Sequence, residues 1–118
     1  MTMRYLVIKN HIVNEINHIV LKENDRVLRG EEYIGNPIWK NWVYCISRDT
    51  LKEGWIPRAY LKDIGEESIL LEDYSSKELD VTMGDVVTLK KTINNWAYCI
   101  SERTQDEGWV PLENLDPI

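Results

Sequence analysis

The sequence predicts an all-β chain: two tandem five-stranded small barrels, residues 1–63 and 64–118, joined by a short linker. Three observations predict it. A segment occurs twice, each copy alternates with a period of two, and turn-forming residues close the strands.

The duplication is the strongest of the three. Asn41-Trp-Val-Tyr-Cys-Ile-Ser47 recurs as Asn95-Trp-Ala-Tyr-Cys-Ile-Ser101. Without a gap, Glu53-Gly-Trp-Ile-Pro57 recurs as Glu107-Gly-Trp-Val-Pro111, and Leu61 as Leu115. About a dozen identities in roughly twenty positions place this beyond chance and define a unit of about 55–60 residues. Upstream, Val20–Val27 resembles Asp80–Val87.

Each element then follows. Trp42, Tyr44 and Ile46 alternate with Val43 and Cys45, and Trp96, Tyr98 and Ile100 with Ala97 and Cys99, so both runs are strands. Polar stretches at Ser47–Lys52 and Ser101–Asp106 lead into a second strand at Gly54-Trp-Ile or Gly108-Trp-Val. Asn24-Asp25 and Gly84-Asp85 precede β-branched runs and suit one tight turn, because Gly and Asn accept positive φ. Pro57 and Pro111 cannot donate to a central ladder and mark strand ends. Units this small bury only about 60% of their unfolded surface, and the link at Lys62–Ser68 is short.

Composition narrows the function classes. The net charge of −6 divides unevenly: Met1–Lys62 carries ten basic against seven acidic residues, and the remainder four against thirteen. The acidic half repels phosphate backbones and attracts basic ligands, so nucleic acid is not the expected partner. No apolar run approaches the ~20 residues of a membrane span, and the start of the chain lacks a leader pattern. Two cysteines are too few for a stapled secreted fold, so a cytoplasmic setting is expected. Five Trp and six Tyr beside no Phe suit half-exposed positions, since both carry a polar handle.

The residues resemble the SH3 family in its bacterial, variant form. Leu70-Leu-Glu-Asp-Tyr74 is similar to the family's Ala-Leu-Tyr-Asp-Tyr, and Glu78-Leu-Asp-Val-Thr-Met-Gly-Asp85 to its Glu-Leu-x-Phe-x-x-Gly-Asp segment. Trp96 stands at the first family tryptophan, and Gly108-Trp-Val-Pro111 resembles the Gly-x-Ile-Pro ending. In the first unit Trp42, Gly54-Trp-Ile-Pro57 and Tyr60-Leu61 match, while Val7–His11 is a divergent opening. The resemblance covers nearly the whole chain. It implies a groove of aromatic ridges that accepts a polyproline II peptide, already extended and cheap to order.

The site residues implied by the resemblance are Trp42, Pro57 and Tyr60 in the first unit, and Tyr74, Trp96 and Pro111 in the second, with Glu72 and Glu78 as anchors for a basic ligand. Glu72 and Asn114 replace family tyrosines, as do Lys9 and His11. Each groove therefore holds half the aromatic set. A groove per unit, one shared groove and a ligand without Pro-x-x-Pro all stay open. Glu72, Asp73, Glu78 and Asp80 are expected to form one acidic loop, which is either a solvated surface or a basic-ligand anchor.

Strand parity places Trp42 and Trp96 outward, opposite Cys45 and Cys99, which are expected in the core as small hydrophobes. Trp55 and Trp109 alternate differently, and packing is as open for them as ligand contact; the resemblance implies that the loop carrying Trp39 borders the groove. Two thiols make no zinc site, and His11 and His18 lack the neighbours that catalysis needs, so neither metal, cofactor nor enzymatic activity is expected. The leading expectation is a protein-interaction module taking a peptide, proline-rich or basic, or a partner protein. Its competitors are an accessory, inhibitory or immunity-type subunit of a bacterial assembly with unused grooves, and a cell-wall-binding domain.

Overall fold

A computed structural model describes residues 3–13, 18–35 and 40–118. The described residues form an all-β chain whose only helical turns are single 3-10 turns, Arg58–Tyr60 and Leu112–Asn114. Among them no helix is long and apolar enough to cross a membrane.

The strands are β1 (Met3–Val7), β2 (Val20–Leu21), β3 (Arg26–Glu32), β4 (Trp42–Ser47), β5 (Glu53–Pro57) and β6 (Leu61–Ile64). They continue as β7 (Glu67–Leu70), β8 (Tyr74–Ser75), β9 (Val86–Ile93), β10 (Trp96–Ser101), β11 (Glu107–Pro111) and β12 (Leu115–Pro117). They build two five-stranded sheets, ordered β5-β4-β3-β7-β6 and β11-β10-β9-β1-β12, and a two-stranded sheet of β2 and β8.

Two compact units result, and neither coincides with a linear half of the chain. The central unit is the continuous stretch Glu15–Lys77; the terminal unit joins Met1–Asn14 to Glu78–Ile118. The expected boundary at 63/64 follows the sequence repeat, whereas strand pairing divides the chain elsewhere. β1 pairs with β9 and β12, placing Tyr5 opposite Val87 and Pro117. β7 plays the same part for β3 and β6, with Ser68 opposite Val27 and Asp63. Each unit takes its opening strand from the other sequence repeat.

The backbone bonds repeat in register. Val7 N–H donates to Asp85 O (2.8 Å) and Gly84 N–H to Val7 O (2.9 Å); Leu70 N–H donates to Asp25 O (2.9 Å) and Asn24 N–H to Leu70 O (2.8 Å). Both turns require positive φ, which Gly84 (97°) and Asn24 (75°) supply. The following aspartate then locks the turn. Asp85 accepts from Thr82 N–H at 3.0 Å and Asp25 from Lys22 N–H at 2.9 Å.

Inward positions fill the cores. In the terminal unit these are Val7, Leu79, Val81, Val87, Ala97, Cys99, Val110 and Leu115. In the central unit Ile19, Leu21, Val27, Val43, Cys45, Ile56, Leu61 and Leu70 hold the matching places. Both thiols are fully buried, and alternation along β4 and β10 places them there.

The sheets differ around Arg29 and Ser68. In the central unit Arg29 donates to Ser68 Oγ at 3.0 Å and to the carbonyls of Gly65 and Glu67, while Ser68 donates to Asp63 at 2.8 Å. This network satisfies a buried serine. The terminal unit has Leu89, Tyr5 and Pro117 at those register positions, with Leu89 and Tyr5 packed on the core.

Two outcomes are expected. A fragment spanning 15–77 carries all its own ladders and should give a dispersed amide spectrum. A fragment spanning 64–118 lacks β1, exposes two unpaired edges and should be unfolded or self-associated; a well-dispersed monomer would refute the pairing. For the turn, the Thr82 N–H bond and then Arg103 hold the Asp85 carboxyl below its ordinary range. A lowered folded-state pKa stabilises above the unfolded value and is lost as pH falls through the folded one. Asp85→Ala should therefore cost about 1 kcal/mol at pH 7. The difference should narrow below the ordinary carboxylate value of 3.8, read by denaturant titration across pH.

Candidate functional site

The expected groove residues are re-sorted by the pairing. Tyr74, placed with Trp96 by sequence order, lies in the central unit with Trp42, Pro57 and Tyr60. β4 and β5 put Trp42 opposite Pro57, and the chain continues past Pro57 by an Arg58 N–H bond to Asn41 O at 2.8 Å. The 3-10 turn then brings Tyr60 edge-on to Tyr74, 5.5 Å between centroids at 85°. The Tyr74 hydroxyl donates to Trp55 O at 2.7 Å.

This aromatic set is enclosed. Trp42 is 7% exposed, Tyr60 6%, Tyr74 5%, and Pro57 is fully buried. That corrects the expected outward Trp42. Parity does place it opposite Cys45, but parity fixes a face of the sheet and not whether that face meets water.

The terminal unit holds the more open set. Trp96 is half-buried and paired with Pro111, which is buried. His11, in the place that Tyr74 occupies in the central unit, meets Trp96 edge-on at 5.8 Å and 77°. Its backbone is fixed by reciprocal bonds with Val81, 2.9 and 3.0 Å. His11 Nε2 lies 2.8 Å from Glu78 Oε1, and both side chains are partly exposed. Glu78 reaches this position because its backbone runs against β11: Leu79 N–H donates to Trp109 O at 3.0 Å, and a Cβ on Gly108 would stand 2.7 Å from Glu78 C. Only glycine permits that approach.

Asn114 takes the register position of Tyr60. It is buried, and its amide donates to Lys9 O (3.2 Å) and Asn10 O (3.3 Å), holding the segment that carries His11. The local result is a ledge of Trp96, His11 and Glu78 above Pro111, with one carboxylate beside one imidazole.

The acidic loop expected from Glu72 to Asp80 is divided. Glu72 and Asp73 belong to the central unit, Glu78 and Asp80 to the terminal one. Asp73 accepts from Glu23 N–H (2.9 Å) and Asp80 from Val13 N–H (2.6 Å), so both fix loops. Glu72 is exposed. Trp39 lies outside the described residues. Among the described residues no group of three or more His, Cys, Asp or Glu is placed to hold a metal ion.

Sequence reasoning treated Trp55 and Trp109 alike, yet they differ: Trp55 is 37% exposed and Trp109 3%. The signal was present in the neighbouring strand, where Lys90-Lys91 replaces Gly30-Glu31.

Burial pushes the Cys99 thiol up to about 12. Burial also raises Cys45 to about 11, against an opposing pull from Arg29 and Arg58. At pH 8 fewer than about one in a thousand thiols ionises, and nucleophilic attack needs the thiolate. Neither cysteine should react with Ellman's reagent in the folded protein at pH 8, and both should react in guanidinium chloride. Rapid labelling of one thiol without denaturant would contradict its placement.

No protein-family model, no curated protein and no solved structure matches this chain.

Proposed function

We propose that the chain is a non-catalytic, cytoplasmic protein-interaction module whose two units are SH3-like barrels. The terminal unit's Trp96 ledge takes an extended peptide segment of a partner protein. The observation that carries this reading is the half-buried Trp96 with His11 edge-on and the Glu78 carboxylate 2.8 Å from the imidazole. A flat indole supplies contact area at little cost in side-chain entropy, and a partly exposed carboxylate can fix a Lys or Arg of the ligand. An extended proline-containing segment suits such a ledge because it loses little freedom on docking.

The same geometry limits the central unit. With Trp42, Pro57, Tyr60 and Tyr74 enclosed, its aromatic set serves packing. That favours a second reading, in which the chain is an accessory or inhibitory subunit held by another surface.

Arrays of proline-rich and basic peptides decide between the two. Under the first reading Trp96→Ala should weaken binding by at least about tenfold, the scale of a lost aromatic anchor. Glu78→Gln should flatten the salt dependence, and Trp42→Ala should lower stability rather than selectivity. A single stoichiometric partner retained by Trp96→Ala would transfer the function to the second reading.

A further inference from the structure

We propose that two ion pairs of opposite sense and one buried polar network decide which opening strand each unit accepts, and thereby set His11 rather than Tyr74 beside Trp96. The inference is independent of what the Trp96 ledge binds.

β1 and β7 fill the same place in their sheets, β1 between β9 and β12 and β7 between β3 and β6. Val7 and Leu70 are both fully buried, and four residues later each strand runs into a ring, His11 or Tyr74. Neither strand states its partner by itself. The choice shows only when both sides of each ladder are compared, at two neighbouring positions. These are Arg4 and Tyr5 in β1, and Glu67 and Ser68 in β7; Tyr5 faces Val87 as Ser68 faces Val27.

At the outer position the charges are complementary in each unit, with opposite sense. Arg4 Nε donates to Glu102 Oε2 at 2.8 Å and its Nη2 to Oε1 at 3.1 Å. Glu67 instead pairs with Arg48, and with Arg26 at 3.4 Å. Arg48 and Glu102 hold one position of the repeat, each following the serine that faces Val27 or Val87. Exchange of the opening strands would set Arg4 beside Arg26 and Arg48, and Glu67 beside Glu102. One such exposed pair is worth little, but like charges brought together across a ladder destabilise it. A wrong strand therefore loses an attraction and gains a repulsion, and it does so in both units.

At the inner position the contrast is polar against apolar. The buried Ser68 hydroxyl accepts from Arg29 at 3.0 Å and donates to Asp63 at 2.8 Å, and Arg29 stands 3.3 Å from Asp63. In the terminal unit Leu89 and Pro117 hold the places of Arg29 and Asp63, and Tyr5 packs on the core. Exchange would set the Ser68 hydroxyl against Leu89 and Pro117, and would take from Arg29 and Asp63 the hydroxyl they share. A buried polar group without a partner costs more than an exposed ion pair contributes.

The test reads cross-strand nuclear Overhauser effects in the isotope-labelled full chain. In the wild type position 5 should contact Val87, and position 68 Val27. Arg4→Glu, Tyr5→Ser, Glu67→Arg and Ser68→Tyr together exchange the two positions between the strands. Position 5 should then contact Val27 and position 68 Val87, and the Tyr74 ring should replace His11 at Trp96. Wild-type contacts in this variant would overturn the proposal. A second set changes charges alone. Arg48→Glu with Glu102→Arg, both exposed, should lower the folded-to-unfolded ratio about tenfold at low salt, and less at about 1 M salt. Adding Arg4→Glu and Glu67→Arg should recover most of that loss. Losses that add rather than cancel would sink the proposal, whether or not the first variant folds.

Discussion

The structure depends on β1 lying between β9 and β12. Val7 is fully buried in the terminal core and bonded through its backbone to both sides of the Gly84-Asp85 turn. Without it, β9 and β12 would each present a row of unpaired backbone groups, a state that costs free energy and invites association. The strand comes from the opposite end of the chain, so the terminal unit forms only when residues about a hundred positions apart meet. The central unit has no such requirement, since Glu15–Lys77 is continuous. Loop-closure entropy grows only slowly with the length of the loop to be closed. The ladders of the central unit therefore close over shorter loops than the one between β1 and β12.

That same constraint decides which side chains can share a site. Had each repeat kept its own opening strand, Tyr74 would stand near Trp96 and His11 near Trp42. Pairing instead gives the central unit Tyr74 and the terminal unit His11. The central unit thereby assembles four apolar or aromatic positions and encloses them. The terminal unit assembles a tryptophan, a histidine, an asparagine and a glutamate. Polar groups at half-buried positions demand partners, and they find them in each other and in the backbone of Lys9 and Asn10. Enclosure and openness follow from which opening strand each unit receives.

Much of this was legible locally. The alternation in Trp42–Ser47 and Trp96–Ser101 marked β4 and β10 and sent both cysteines inward, because a period of two is a property of one strand alone. The turns at Asn24 and Gly84 were legible from residue type, since few residues accept positive φ. What was not legible was pairing. Nothing in Met3–Val7 states whether it joins β3 or β9; both edges are β-branched and both turns are alike. The burial of Trp42 was hidden because the period of a strand fixes a face of the sheet and not what lies against that face. The acidic residues 72–80 read as one loop only so long as the chain was assumed to stay in one unit.

Duplication explains why such similar halves can do different work. The eight matched core positions vary only among small and medium apolar residues, as with Ile56 and Val110 or Leu70 and Val7. Divergence concentrates where one sheet face meets its edge strand: Arg29, Ser68 and Asp63 against Leu89, Tyr5 and Pro117, then Gly30-Glu31 against Lys90-Lys91. An apolar set at the first position packs without further partners, whereas the arginine network must satisfy every donor it buries. At the second position two lysines lie over the rings of Tyr98 and Trp109 in the terminal unit, and glycine and glutamate stand there in the central one. Gly30, Glu31, Lys90 and Lys91 are exposed and lie outside the two buried cores, so changes there leave each fold intact while altering what its surface attracts. The duplicated frame thus conserves the constraint that closes each sheet and leaves its outer face free to change charge.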